Sequence, residues 1–143
     1  MVAIVAERTI ATSPERVFHA LTQPEEIAHW WAEQATVKPE VGSVGTFHFR
    51  PPAGALQFEV TELVQNEHVH WVSRQGPLEW AGTSVSWQLE PLPNGTRLLF
   101  THDGFAKKDE AYEQTSGNWD YFLNSLKSYL ETGKGTPGFP QFV

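Results

Sequence analysis

The chain has no cysteine, few cations and no long apolar run, and each of these absences excludes a class of protein. Without cysteine there is no disulfide framework, no thiolate metal site and no cysteine nucleophile. Ten lysines and arginines against seventeen aspartates and glutamates leave a formal net charge of −7. Such a charge disfavours binding to nucleic acid or to an anionic membrane, because both depend on clustered cations. No stretch approaches the roughly 18 consecutive apolar residues of a membrane span.

The N-terminus also has no basic segment ahead of an apolar one, which predicts a cytoplasmic protein without a signal peptide. What is present is a composition typical of a packed core. Of the 143 residues, 40% are apolar and 13% are aromatic, and six are tryptophan. These proportions are too high for intrinsic disorder. The length predicts a single domain over residues 1–133, followed by a C-terminal tail at 134–143.

Local patterns predict the order strand, two short helices, about six antiparallel strands and one long helix. Ser13-Pro14 and Pro24 are typical helix starts, and Asn94-Gly95 is typical of a tight hairpin turn. The long helix is predicted over 109–131, where apolar residues recur every three or four positions. The predicted strands are 2–11, 35–37, 44–49, 56–64, 68–73, 83–89 and 96–102.

Alternation along the strands predicts one apolar, aromatic sheet face and one polar face. The long helix must bury its apolar stripe against the apolar face, and a curved sheet around one helix predicts an internal cavity. Ten residues are predicted to surround it and to bind an apolar ligand: Trp31, Phe47, Phe49, Phe58, Trp71, Trp87, Phe100, His102, Trp119 and Phe122. We expect a hydrophobic ligand that is uncharged or mono-anionic, with His102 and Arg8 as polar anchors.

Several short phrases occur in an order that resembles a known family. The phrases are TI at 9–10, SPERVF at 13–18, ALT at 20–22, PE at 24–25, WW at 30–31, GTRL at 95–98, THDGF at 101–105 and GNW at 117–119. With this order the chain resembles the START-like, helix-grip superfamily. Within it, the chain is similar to the homologues of the activator of the heat-shock-protein-ninety ATPase. The resemblance implies an α+β helix-grip fold with a hydrophobic cavity. It does not imply one chemistry, since relatives include lipid carriers, polyketide cyclases, hydrolases, plant hormone receptors and chaperone co-activators.

The sequence offers little support for catalysis or metal binding. Strand alternation does not place a serine, a histidine and an aspartate next to one another, so no residue is predicted to be a nucleophile. His68 and His70 point the same way on the polar face, but a zinc site needs a third protein ligand, and no metal or other cofactor is predicted. His102 is predicted to point inward, more as a buried, hydrogen-bonded histidine than as an acid or base. Gly117, inside the long helix, predicts a close approach of that helix to the sheet, where valine would overpack the contact.

Three functions remain open. The leading hypothesis is a protein that binds an apolar small molecule without a known reaction. The second is a chaperone co-activator or another protein-interaction module. Such a module needs an exposed apolar or acidic patch, and the predicted single domain lacks the extra domain that full activators in the family carry. The third is a cyclase- or hydrolase-like enzyme that uses His102 with a cavity water. This hypothesis is weakened by the lack of an acid or base to act with His102. Glu59 and Glu62 are predicted to lie on opposite faces of the sheet, so only one of them can point inward.

The size of the cavity is the feature that best separates these hypotheses. An open pocket of several hundred Å³ favours ligand binding, whereas a filled core favours the interaction module. A carboxylate within hydrogen-bond reach of His102 favours the enzyme. The oligomeric state is not indicated by any pattern in the sequence.

Overall fold

Seven antiparallel strands form one curved sheet, and a long C-terminal helix packs against its inner face. The structure is a computed structural model that describes residues 2–51, 53–77 and 80–140. The strands are β1 (Val2–Ile10), β2 (Gln34–Thr36), β3 (Val44–His48), β4 (Ala55–Val64), β5 (His68–Gln75), β6 (Ser84–Leu92) and β7 (Gly95–Phe105), and the helices are α1 (Pro14–Thr22), α2 (Pro24–Trp30) and α3 (Glu110–Thr132). The order in the sheet is β1-β7-β6-β5-β4-β3-β2. The predicted helix-grip fold is confirmed.

The helices α1 and α2 begin at the predicted prolines, and α1 and α3 each have a side-chain cap. The Ser13 hydroxyl accepts a hydrogen bond from the Arg16 amide at the start of α1, and the Asp109 carboxylate accepts one from the Tyr112 amide at the start of α3. Both bonds satisfy an amide that has no partner within its helix. None of the helices in the described residues is long and apolar enough to span a membrane.

The hairpin between β6 and β7 differs in detail from the prediction. Leu92 pairs with Gly95, so the two central residues of the turn are Pro93 and Asn94 rather than Asn94 and Gly95. A tight turn centred on Asn94 and Gly95 would have a positive φ at both residues. The one positive φ at a residue other than glycine in the described part of the chain is at Asn66, with φ 64°, in the turn between β4 and β5. Proline at the first central position fixes φ near −65°, which excludes the turn type with two positive φ angles.

The alternation of apolar residues correctly predicted the inner face of the sheet. The inward residues are all buried: Phe47, Phe58, Val60, Val69, Trp71, Val85, Trp87, Leu98 and Phe100, with Phe49 just beyond β3. From α3, the side chains of Trp119, Phe122, Leu123 and Leu126 complete this core. Burial of so much apolar surface supplies most of the stabilising free energy of such a domain.

Side chains of α3 cover the open edge of the sheet at β1. The Tyr112 hydroxyl donates to the Ala3 carbonyl at 2.8 Å, and the Lys127 ammonium donates to the Thr9 carbonyl at 2.5 Å. Arg8, expected at a cavity rim, instead donates to Asp120 and Asn124 on α3. These bonds occupy polar groups that an exposed edge strand would offer to another chain.

Gly117 does not approach the sheet. A Cβ atom built on it would meet nothing within 4 Å, and the residue is exposed. The predicted close contact, and the overpacking expected for valine at this position, are therefore wrong. The reason is the face of the helix. Thr115 and Trp119 point inward, and Gly117 is two residues, or about 200° of rotation, from each of them, which places it on the opposite face.

The close approach occurs instead at Gly135, in the segment after α3. A Cβ atom there would lie 2.3 Å from the His29 carbonyl oxygen. Residues 134–140 pack between α2 and α3, since the Gly138 amide donates to the Trp31 carbonyl. Phe139 contacts Phe49 with ring centroids 4.5 Å apart. Phe142, which could also pack on the body, lies outside the described residues.

Candidate functional site

The ten residues predicted to surround a cavity do come together between the sheet, α2 and α3, and we call them the aromatic cluster. Each of them is at most 6% exposed. Trp31 and Trp119 stack on each other, with ring centroids 5.6 Å apart. The other eight residues each contact one of these two rings: Phe47, Phe49, Phe58 and Trp71 contact Trp31, and Trp87, Phe100, His102 and Phe122 contact Trp119.

The rings of the cluster touch one another rather than surround an open space. The centroid of Trp31 lies 4.7 Å from that of Phe47, and the centroid of Trp119 lies 4.6 Å from that of Phe100. Rings at such distances are in van der Waals contact. A crevice of about 10 Å³ reaches Trp71 between Leu21 and Val37, which is room for one water molecule at most. A cavity of ligand size therefore stays a prediction, while the packed cluster is what the structure shows.

His102 occupies the end of the cluster next to the start of α3 and is fully buried. The Trp119 indole N–H donates to its Nδ1 at 3.0 Å. Nδ1 is therefore the acceptor, and the proton of the neutral ring is on Nε2. Nε2 donates to the Thr83 hydroxyl at 2.8 Å, and that hydroxyl donates to the Trp80 carbonyl at 2.7 Å. Donors and acceptors alternate along this series of hydrogen bonds, and both nitrogens of His102 have a partner.

This arrangement suits a structural histidine rather than an acid or base. Desolvation by burial lowers the pKa of His102 from 6.5 to about 3, because a charged imidazolium is disfavoured away from water. Both ring nitrogens already have partners, and neither partner is a carboxylate. A general base needs a free nitrogen within reach of a substrate proton, and His102 has none.

Trp87 carries the one buried side-chain polar atom without a hydrogen bond among the described residues. The ring of Trp87 lies among the rings of Trp30, Trp71, Phe100 and Trp119, at centroid-to-centroid distances from 4.8 Å to 5.9 Å. Buried N–H groups rarely remain without a partner, since the lost hydrogen bond to water destabilises by about 1–3 kcal/mol.

Two tryptophans of this core were not among the ten predicted residues. The Trp30 indole N–H donates to the Ala20 carbonyl at 2.9 Å, and this bond joins α2 to α1. Trp80 lies in the connection between β5 and β6, stacks near Trp119 and donates to the Thr115 hydroxyl at 3.2 Å. Alternation along strands cannot place a residue that lies in a connection. Only the large, mostly apolar side chain of Trp80 could have suggested that it is buried.

The outer face of the sheet carries a second group of polar contacts. His68 and His70 point the same way, as predicted, with ring centroids 6.3 Å apart. The expectation that one of Glu59 and Glu62 points inward is wrong. Both point outward, because β4 has a bulge between Val60 and Glu62 that resets the alternation. No group of three histidine or acidic residues suited to a metal ion is found in the described part of the chain.

The bulge also brings together groups that alternation alone keeps apart. The Glu62 carboxylate contacts His68, and His68 contacts the Ser86 hydroxyl. The sequence patterns did not predict this group, since they considered serine, histidine and aspartate, and the acidic member here is glutamate.

Comparison with known proteins agrees with this fold. The solution structure of the Aha1 dimer from Colwellia psychrerythraea has a TM-score of 0.84 and 36% sequence identity, and the match covers 94% of this chain and all of that chain. Protein MLL2253 from Mesorhizobium loti has a TM-score of 0.80 and 29% identity, over 90% of this chain and 96% of that one. DynU16, from the dynemicin biosynthetic locus, has a TM-score of 0.78 at 20% identity, over 93% of this chain and 48% of that one, and shows the fold alone.

A search of curated proteins finds no significant match. The sequence model of the family described as activator of Hsp90 ATPase homolog 1-like protein matches residues 11–131, which is most of the domain. The chain therefore belongs to the family of activator of Hsp90 ATPase homolog 1-like proteins.

Proposed function

We propose that this protein is an interaction module that binds an Hsp90-type ATPase and raises its rate of ATP hydrolysis. The observation that carries the proposal is the packed aromatic cluster. Its rings touch one another, so we assign recognition to the outer surface rather than to an internal cavity. The family and the similarity to the Colwellia Aha1 along its whole chain support the same role.

The first turn of α3 is the acidic surface that we assign to this contact. Glu110 and Glu113 are exposed there, and together with Asp109 they outnumber the two exposed lysines that precede the helix, Lys107 and Lys108. Exposed carboxylates on one side of an acidic protein favour a partner with a basic patch and accelerate the encounter with it.

The test measures the ATPase rate of the Hsp90-type protein from the same organism as this chain is added. We expect a saturable increase that is weakened by salt, because screening reduces attraction between exposed charges. The double variant Glu110→Lys, Glu113→Lys is expected to need about ten-fold more protein for half of the effect, which is about 1.4 kcal/mol of binding free energy.

The matched control is the double variant Glu15→Lys, Glu25→Lys. It reverses two exposed acidic residues in the first turns of α1 and α2 and changes the net charge by the same amount. It is expected to activate like the wild type. If the wild type changes no ATPase rate and gives no binding heat in calorimetry, the proposed role is wrong.

A second candidate function is the binding of an apolar small molecule in the aromatic cluster, and Trp87 is the observation that favours it. Its unpartnered N–H lies where a ligand carbonyl or hydroxyl oxygen would restore the missing hydrogen bond. Such a ligand would have to displace rings that now touch, so binding requires an opening of the cluster.

This candidate is tested by following tryptophan fluorescence as apolar dyes, fatty acids and polycyclic aromatic compounds are added. Ligand binding predicts a saturable change in the wild type that is lost in Phe122→Arg. Trp87→Phe, which removes the N–H but keeps a ring, is expected to weaken only ligands that carry an oxygen acceptor. If no compound changes the fluorescence of the wild type, the interaction module is left as the function.

A further inference from the structure

A row of three hydrogen-bonded side chains crosses the outer face of the sheet, on the side away from the aromatic cluster. The Glu62 carboxylate lies 2.6 Å from Nδ1 of His68, and Nε2 of His68 lies 2.9 Å from the Ser86 hydroxyl. The side chain of His68 is 22% exposed and that of Glu62 is 55% exposed, so solvent and solutes reach the row.

The strands bring these residues together by register and by the bulge. His68 on β5 pairs with Gln88 on β6, and Ser86 lies two residues before Gln88 on the same face. On the other side of β5, the bulge after Val60 turns Glu62 outward, next to His68. Bulges that re-aim one side chain are common beside active sites.

The hydrogen bonds determine where the protons are. An ionised carboxylate can only accept, so Nδ1 of His68 must carry a hydrogen and donate it to Glu62. In the neutral ring, Nε2 then has a free lone pair and accepts the hydroxyl hydrogen of Ser86. A serine activated by a histidine, with the histidine held by a carboxylate, is the arrangement that prepares a hydroxyl for nucleophilic attack.

His68 also borders a surface depression of about 540 Å³. Val64 and Leu99 give this depression an apolar wall, and the Gln88 side chain lies in its lining with an amide that can donate hydrogen bonds. The lining also holds Glu67, Glu90 and Arg97, and because Arg97 is ion-paired with Glu7 and Glu90, the remaining negative charge disfavours an anionic molecule. Ser86 is not itself in the lining, but its hydroxyl is hydrogen-bonded to His68, which is. The apolar wall fits a short acyl chain, and an uncharged carbonyl group would reach Ser86 past His68.

We propose that Ser86, His68 and Glu62 form a hydrolytic site for short-chain, uncharged carboxylic esters, a function separate from the interaction with an ATPase. The Ser86 oxygen attacks the ester carbonyl carbon as its proton passes to Nε2 of His68. The tetrahedral intermediate collapses, the bond to the alcohol oxygen breaks, and His68 returns the proton to the leaving alcohol. Water then attacks the acyl-serine by the same route, releasing the acid and restoring Ser86.

Within this site Gln88 is the donor assigned to the oxyanion, and Glu62 is a positioning residue that acts through His68. A single side-chain amide gives less stabilisation of the oxyanion than a pair of fixed backbone amides. The site is therefore expected to be slow and to act on activated esters.

The experiment follows hydrolysis of p-nitrophenyl acetate and labelling by diisopropyl fluorophosphate, with the labelled residue identified by mass spectrometry. The wild type is expected to hydrolyse the ester catalytically and to carry one label, on Ser86. Ser86→Ala is expected to lose the label and to lower kcat by about 100-fold or more, a loss typical of a missing activated nucleophile. Glu62→Gln is expected to lower kcat while leaving KM unchanged.

The matched control is His48→Gln. His48 is an exposed histidine on β3, a strand that pairs with β2 and β4 rather than with β5 or β6, and its replacement is expected to leave both readouts unchanged. Thermal melting of each variant shows that the fold is retained, which is expected because all of these side chains are on the surface. If Ser86→Ala keeps the wild-type rate while His68→Gln loses it, a histidine alone reacts with the ester and the proposal is wrong. An unlabelled Ser86 in the wild type also overturns it.

Discussion

The free energy of unfolding is expected to fall by about 3 kcal/mol between about pH 7.5 and pH 4 because of His102 alone. Burial lowers the pKa of this imidazole from 6.5 to about 3 in the folded protein. In the unfolded chain the ring takes up a proton as the pH falls below about 6.5, and in the folded chain it does not. The unfolded state binds more protons over this window, so stability is lost as the pH decreases.

The measurement is urea unfolding at a series of pH values, for the wild type and for His102→Gln. Glutamine keeps polar groups near Trp119 and Thr83 but does not titrate in this window, so its stability is expected to depend less on pH. Other groups contribute in both proteins: burial lowers the pKa of His70, and the hydrogen bond from Arg97 lowers the pKa of the Glu7 carboxyl. The difference between the two proteins isolates His102. Equal pH dependence in both would show that His102 is charged in the folded state.

Replacing Trp31 by alanine is expected to lower the free energy of unfolding by about 3–5 kcal/mol, as large-to-small changes of buried aromatic residues do. Trp31 is 1% exposed and contacts rings from β3, β4, β5, α2 and α3. Its removal takes away apolar contact area and leaves a hole that the surrounding rings fill only in part.

The same urea unfolding measures this effect, with Val5→Ala as the control. Val5 is 64% exposed, and its truncation is expected to change stability by less than about 0.5 kcal/mol. The hole in Trp31→Ala is also expected to bind indole or benzene, as engineered apolar cavities do. A Trp31→Ala variant as stable as Val5→Ala would mean that the cluster is not tightly packed, and ligand binding would then become the better functional hypothesis.

Sequence patterns anticipated the aromatic cluster because its members lie on regular elements. Phe47, Phe58 and Trp87 follow from alternation along strands, and Trp119 and Phe122 from helical spacing. These periods follow from the local backbone geometry of a strand or a helix, so they can be recognised without knowing how the rest of the chain folds. Trp80 could not be found in this way, since the connection between β5 and β6 has no period.

Whether the cluster encloses a space could not be read from the same patterns. Alternation says that a ring points inward, but the distance to the opposite ring depends on how closely α3 and α2 approach the sheet. Trp31 and Trp119 stack directly on each other, and this contact joins two helices that are far apart in the chain. Contacts of this kind between rings favour recognition on the outer surface over a preformed space for a ligand.

Local patterns were enough for the order of the elements, the helix starts at Ser13-Pro14 and Pro24, the inward residues of the strands up to the bulge in β4, and the position of His102 in the core. Only the tertiary structure decided the protonation of His102, since its partners Thr83 and Trp119 lie 19 and 17 residues away. It also decided the outward direction of Glu62 and its contact with His68, because one bulge resets the alternation of β4. Periodicity is a property of neighbouring residues, whereas hydrogen-bond partners and packing are set by segments that meet only when the chain folds.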